Sequence, residues 1–405
     1  MSHVFSDDEI NVLYGESMEY QFAAGEPVDD AVRRIAHDQT ALALADLRSP
    51  EVLGPVGSVH DFRKRCNEVR ALVRLVRGSG VGLYGPTNVA YRNAGRALAE
   101  YRDAHALLAT FDDLIAVNSD RMPEVDLIPI RAELVRRSEL GSEALLAADG
   151  PLDPLIETLE TVQSGIDDWR LSKKGWRAMS DGVNLTYRRG RLAVARAQKK
   201  PQPANFRELR RRAKYTRNHL RLLQMAAPSI LVPMAANFKA LSDSLGDAHD
   251  LAVLQAELKK KTKTFGGKKI VRGANRFIDE HRVDLERRSL GLAVRLYQES
   301  PNQFADRIGG YWKTWNRLGD EQRVGSIRSA FDVGDDFDSL NVSQLRRLAS
   351  AHQIQGRSSL RRDDLLATLR VHGVATPGEA PPERALATPA NTQASPEENA
   401  GSEEV

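Results

Sequence analysis

Cysteine is nearly absent: one residue, Cys66, in a chain of 405. That excludes a disulfide framework and a cysteine-based zinc site, and it fits a reducing compartment. Aromatic residues are scarce at 6 %, so a core must be filled mostly by Leu, Ala and Val, which favour helices. Long apolar runs are missing too. The uncharged stretch 225–238 contains Pro228 and Pro233 and is too short to cross a bilayer. The first residues are acidic and lack the apolar segment of a secretory signal. A cytoplasmic protein with no membrane span is the expectation.

Cationic residues are missing from the ends of the chain. Residues 1–30 carry eight acids and no Lys or Arg, and residues 373–405 carry six acids and one Arg. The formal net charge is only +3, so residues 31–372 hold +16. A basic body between acidic ends predicts a polyanionic partner. The length itself predicts two or three structural units.

From about residue 27 to 300, apolar residues recur at spacings of three and four, and no alternating segment of useful length appears. Breakers stand at Ser49-Pro50, Gly78 to Pro86, Met122-Pro123, Gly150-Pro151, Pro201 to Pro203, Gly266-Gly267 and Ser300-Pro301. The pattern predicts long antiparallel helices joined by short loops. The expected layout is an acidic segment at 1–25, a helical body at 26–300 and a helical or linker segment at 301–338. A small helical module follows at 339–371, then a disordered acidic tail at 372–405.

The helical body repeats itself. Residues 60–70 read HDFRKRCNEVR and residues 207–217 read RELRRRAKYTR, an offset of 147. The same offset pairs Arg74 with Arg221, Arg92 with Lys239, Leu98 with Leu245, Arg102 with His249 and Asp103 with Asp250. It predicts an all-α fold of two pseudo-symmetric four-helix bundles, about 26–150 and 151–300.

On a helix at 100° per residue, His60, Arg63, Asn67, Arg70 and Arg74 share a stripe about 80° wide, with Phe62, Cys66, Val69 and Val73 on the opposite face. Arg207, Arg210, Lys214, Arg217 and Arg221 repeat the arrangement. A solvated helix face ordinarily mixes cations with Glu at i,i+4. These stripes carry no interleaved acid of their own. Guanidinium forks match phosphate oxygens, and Lys adds point charges.

The His60-Asp61-Phe62-Arg63 start, the arginine-rich helix after it and the second copy ending LGDAHDLAVL at 245–254 resemble the CHAD domain, the conserved-histidine α-helical domain. The resemblance covers about residues 26–300. It implies two helical bundles around a basic groove that binds inorganic polyphosphate, and association with polyphosphate granules. By position it implies contacts from both stripes, from Lys64, from Arg92 and Arg102, and from Lys239 and His249. Tyr187, Arg188 and Arg191 resemble a Tyr-and-Arg segment before the second basic helix. The chain departs from the family pattern at Arg207, where a second histidine is usual, and at Asn67, where a cation is commoner.

Two basic features lie outside the stripes. Lys259, Lys260, Lys261, Lys263, Lys268, Lys269 and Arg272 form an acid-free run that reads as a surface loop or a further polyanion grip. Residues 339–371 resemble SAP or Rho N-terminal modules, a helix–extended-loop–helix. There Arg346, Arg347, Arg357, Arg361 and Arg362 are candidate contacts to DNA or RNA.

The competing readings are a nucleic-acid binder using both domains and a metal-dependent phosphohydrolase built on His37-Asp38, His60-Asp61 and His249-Asp250. Cations around these pairs disfavour a divalent metal. Their carboxylates read better as helix caps or arginine partners. The expected function is therefore non-enzymatic polyphosphate binding, with no cofactor and no metal.

Overall fold

The computed structural model describes residues 20–80, 82–118, 127–147 and 150–318, and residue 345; the side chains of residues 51–53, 100 and 102 are not among those described. By contacts the chain forms two units, 14–333 and a second comprising 1–13 with 334–405. In the first, every regular element among the described residues is a helix, and the protein is all-α. The elements are α1 (Val28–Arg48), α2 (Pro50–Leu75), α3 (Tyr84–Ala97), α4 (Ala99–Val117), α5 (Ile128–Leu146) and α6 (Leu152–Ser164). After a short 3-10 turn come α7 (Trp176–Lys199), α8 (Pro203–Leu223), α9 (Pro228–Lys260), α10 (Lys268–Leu296) and α11 (Pro301–Trp315).

Proline opens several of these helices. Pro203, Pro228 and Pro301 sit in first turns, where a missing N–H costs nothing and the fixed φ is already helical. Ser300 and Gln303 close a full capping box on α11: the Gln303 N–H donates to Ser300 Oγ and the Ser300 N–H to Gln303 Oε1, both at 3.2 Å. Gly54 at φ 71° kinks the start of α2, a left-handed conformation that glycine adopts without Cβ strain.

A shift of 147 lays α1 on α7, α2 on α8, α3 with α4 on α9, α5 on α10 and α6 on α11. The first half packs α1 on α2, α2 on α3, α4 on α5 and α6 on α1; the second packs α7 on α8, α8 on α9, α9 on α10 and α11 on α7. The repeat thus extends to a fifth helix in each half. α6 contributes Leu155 and Leu159 to the core around Phe62, Tyr91 and Leu98. α11 buries Phe304, Ile308, Trp312 and Trp315 in the central core with Phe22, Leu222 and Phe238. The halves join where α2 meets α7 and α8, and where α4 meets α9. Phe111, Ile130, Leu254, Phe265 and Ile278 seal the α4–α5 and α9–α10 hairpins together.

Residues 1–19, and 319–405 apart from residue 345, lie outside the described residues. So do the structures expected for the module at 339–371 and for its arginines Arg346, Arg347, Arg357, Arg361 and Arg362.

Candidate anion-binding site

Each arginine stripe lies against the next helix of its own half. On α2, Arg63 donates to the Gly95 carbonyl near the end of α3. Arg70 Nε and Arg74 donate to Asn88 Oδ1 at 3.3 and 2.6 Å. Asn67 bridges the row: its Nδ2 donates to the Arg63 carbonyl at 2.8 Å, and its Oδ1 accepts from Arg70 at 3.2 Å. On α8 the guanidinium of Arg210 lies over Gly246 of α9, where a Cβ would come within 3.0 Å of it.

At residues 68–74 and 215–221 the stripes reach across to the other half, and they do so reciprocally. Arg74 stacks 4.1 Å from the centroid of Tyr215. Its counterpart Arg221 forms an ion pair with Glu68, the counterpart of Tyr215. His219 Nε2 donates to the Ala71 carbonyl at 3.0 Å between these contacts. One interaction pattern used twice in opposite directions is what a pseudo-two-fold axis between α2 and α8 requires.

The two sides of that axis differ in charge. Glu68, 1 % exposed, takes Arg221 and lies 3.7 Å from Arg65. Tyr20 covers this side, with its hydroxyl donating to the Glu68 carbonyl at 2.9 Å and its ring 4.9 Å from Arg221. Burial and then Arg221 push the Arg217 guanidinium down to about 10, against the pull of Glu68 and Asp243; it stays cationic at neutral pH. Burial, with Asp243 and Asp250, pushes the Asp247 carboxyl up to about 6 against Arg210. Carboxylates that the α8 stripe lacks therefore arrive from neighbouring helices, Glu68 from α2 and Asp243 and Asp247 from α9.

The family model for the CHAD domain matches residues 36–259, more than half of the chain. The chain belongs to the CHAD domain family. Among solved structures it is similar to PptA from Streptomyces chartreusis, at 13 % identity and a TM-score of 0.44 over 68 % of this chain and 99 % of that one. No curated protein matches it.

Within this CHAD domain the remaining site residues fall into three groups. His60, Arg207 and Lys214 are exposed and Lys64 is half-buried on the two basic helices. Arg92, half-buried on α3, donates to its neighbour Asn93 at 3.3 Å, while Lys239 on α9 pairs with Asp243 at 2.5 Å. His249 is half-buried on α9, and Arg102 lies on α4 with its side chain outside the described ones. On α7, Arg188 is exposed and Arg191 donates to the Glu299 carbonyl. Tyr187 is core: it stacks on Phe304 at 4.0 Å and donates to the Leu296 carbonyl.

Arg77, Arg189 and Arg212 are cations that the stripes leave out: Arg77 shares the Tyr84 ring with Arg74, the charge of Arg212 acts on Arg74, and Arg189 feels Arg212, Arg77 and Tyr84. Arg77 stood in plain periodicity as the next step after Arg63 and Arg70, at the stripe edge. Arg189 and Arg212 come from α7 and from another face of α8, so only tertiary packing reveals them.

The acid-free run 259–272 differs from the loop its composition suggests. Lys259 and Lys260 close α9, and Lys268, Lys269 and Arg272 open α10. Glu257, one turn before, pairs with Lys261 at 3.0 Å and with Arg137 at 2.7 Å. Lysines in the last turn of α9 suit the helix dipole, which explains the longer helix.

The His-Asp dipeptides do not cap helices. Asp61 and Asp250 sit inside α2 and α9, and His37 Nε2 lies 2.9 Å from Asp167. Among the described residues no group of three or more His, Cys, Asp and Glu side chains could hold a metal ion. None of the described helices is long and apolar enough to cross a membrane.

Proposed function

We propose that this chain binds inorganic polyphosphate without transforming it, using the arginine and lysine side chains of α2 and α8, and that this binding directs it to polyphosphate granules. The observation that carries the reading is the same cationic stripe placed on two pseudo-equivalent helices within the region matched by the CHAD domain, a family associated with polyphosphate. The mechanism is electrostatic. A linear chain of phosphates lies along guanidinium groups already ordered by Asn67, Asn88 and Gly95, so little side-chain entropy is lost on binding, and released counterions add an entropic gain. A DNA-tethering role for residues 339–371 is a separate proposal, supported by the arginines of that segment alone.

Replacing Arg207, Arg210 and Lys214 together by Glu is expected to weaken binding of labelled long-chain polyphosphate at least tenfold at moderate salt. A melting curve would check that the variant is folded. Unchanged affinity in a folded variant overturns the assignment, and release of orthophosphate from polyphosphate by the pure protein overturns the absence of chemistry.

A further inference from the structure

The pseudo-two-fold axis between α2 and α8 relates two faces that carry opposite burdens. On one, Glu68 neutralises Arg221 and lies beside Arg65, and Tyr20 with Gln21 covers them: Tyr20 donates to the Glu68 backbone, and Gln224 Nε2 donates to Gln21 Oε1 at 2.8 Å. The neighbouring cation Arg34 is itself held, by Glu26 at 2.7 Å and by the Gln21 carbonyl at 3.1 Å. On the other face Tyr215 stands where Glu68 would be, so Arg74 meets an aromatic ring rather than a carboxylate.

Further cations then gather around Arg74 and the Tyr84 ring it approaches. Arg77 stacks 4.6 Å from the centroid of Tyr84, a ring that Arg74 also approaches at 5.6 Å. Arg189 lies seven residues after Gly182, on the same face of α7. Gly182 abuts α2 so closely that a Cβ there would lie 1.9 Å from the Leu75 carbonyl oxygen, which holds α7 against the end of α2, and Arg212, Arg77 and Tyr84 are the groups from other elements whose charges act on Arg189. Arg212 comes from α8. Nearby carboxylates are already matched: Glu208 to Arg211 and Arg212, and Asp181 to Lys173 at 2.8 Å. Among the described residues, Arg77 and Arg189 form no ion pair. Burial, then Arg212 and Arg77, lower the pKa of Arg189, and burial foremost does the same to Arg74. An isolated protein gains nothing from such crowding; a bound anion relieves it.

We propose that Arg74, Arg77, Arg189 and Arg212, over Tyr84 and Tyr215, form the phosphate-chain subsite of this CHAD domain, and that the pseudo-equivalent face at Arg221 and Glu68 binds no phosphate. Arg74 is held by the Arg70 carbonyl at 2.7 Å and by Asn88 at 2.6 Å, and Arg212 by Glu208, so these two supply fixed positive charge, while the guanidinium edges of Arg77 and Arg189 match phosphate oxygens in pairs. The inference rests on the polyphosphate reading and narrows it to one side of the axis.

Three single variants of the full chain, Arg77→Ala, Arg189→Ala and Arg34→Ala, each remove one positive charge. A general effect of net charge would therefore be equal in all three. Titrated with labelled long-chain polyphosphate, Arg77→Ala and Arg189→Ala are expected to weaken binding about fivefold each and the double variant more than tenfold. Arg34→Ala stays within twofold. The assignment is overturned if Arg34→Ala loses as much as the other two, if the double variant binds as wild type, or if the double variant loses only duplex DNA binding. The triple Glu variant on α8 separates the two levels. Loss there with a wild-type double variant removes the subsite and leaves the function standing; wild-type binding in both removes the function as well.

Discussion

Position 68 and its counterpart 215 decide how two similar arginines behave. Glu68 makes Arg221 part of a buried ion-pair cluster with Arg65, a structural element whose charges are expensive to leave unpaired. Tyr215 leaves Arg74 positive and stacked. No inspection of either stripe alone distinguishes them, because each partner belongs to the opposite half. His219 shows the same dependence on tertiary context. It is fully enclosed between α2 and α8, and burial pushes its imidazole down to about 4. The folded protein therefore keeps His219 neutral while the unfolded chain takes up a proton below about pH 6.5. The stability it supports is complete above that pH and is lost as the pH falls toward 4. In urea titrations at pH 7 and pH 5, wild type is expected to lose about 2 kcal/mol more than His219→Gln over that interval. An equal pH dependence in both proteins would show that His219 is not held neutral.

At the scale of the helices, most of the plan was legible. The 3.6-residue periodicity, the proline and glycine breakers and the offset of 147 gave the helices and their duplication. Less visible was the extent of the repeat. α11 belongs with α6 as a fifth helix, but its aromatic residues Tyr311, Trp312 and Trp315 do not resemble the leucines of α6. The single helix α9 has a broken counterpart, α3 and α4, with the break at Leu98; Leu98 and Leu245 are the same residue type, so local sequence does not announce it. Close approach of α7 to α2 depends on Gly182. Adding one methyl there meets backbone, which cannot rotate away. Gly182→Ala is expected to cost at least about 2 kcal/mol in thermal unfolding. Gly291→Ala, in the interior of α10 with open space around it, is expected to gain about 0.5–1 kcal/mol from helix propensity. Similar small effects from both substitutions would contradict the packing described for α2 and α7.

For the molecule as a whole, charge placement separates function from composition. A net charge of +3 describes an ordinary protein, whereas residues 31–372 hold +16, a good part of it on α2, α7 and α8. The sequence located the two stripes because a helix displays every third and fourth residue on one face. The face on which cations accumulate was not legible, since it is made by Tyr215 and Arg212 of α8, Arg189 of α7 and Arg77 of the turn after α2. The acidic N-terminal residues lead directly into Tyr20, which closes the neutralised side. The most direct measurement is a competition between long-chain polyphosphate and duplex DNA for the full chain, at matched phosphate concentration across a salt series. Polyphosphate should bind more tightly than DNA at every salt concentration, with affinity falling linearly as the logarithm of salt rises; tighter binding of DNA, or polyphosphate binding insensitive to salt, would contradict the account.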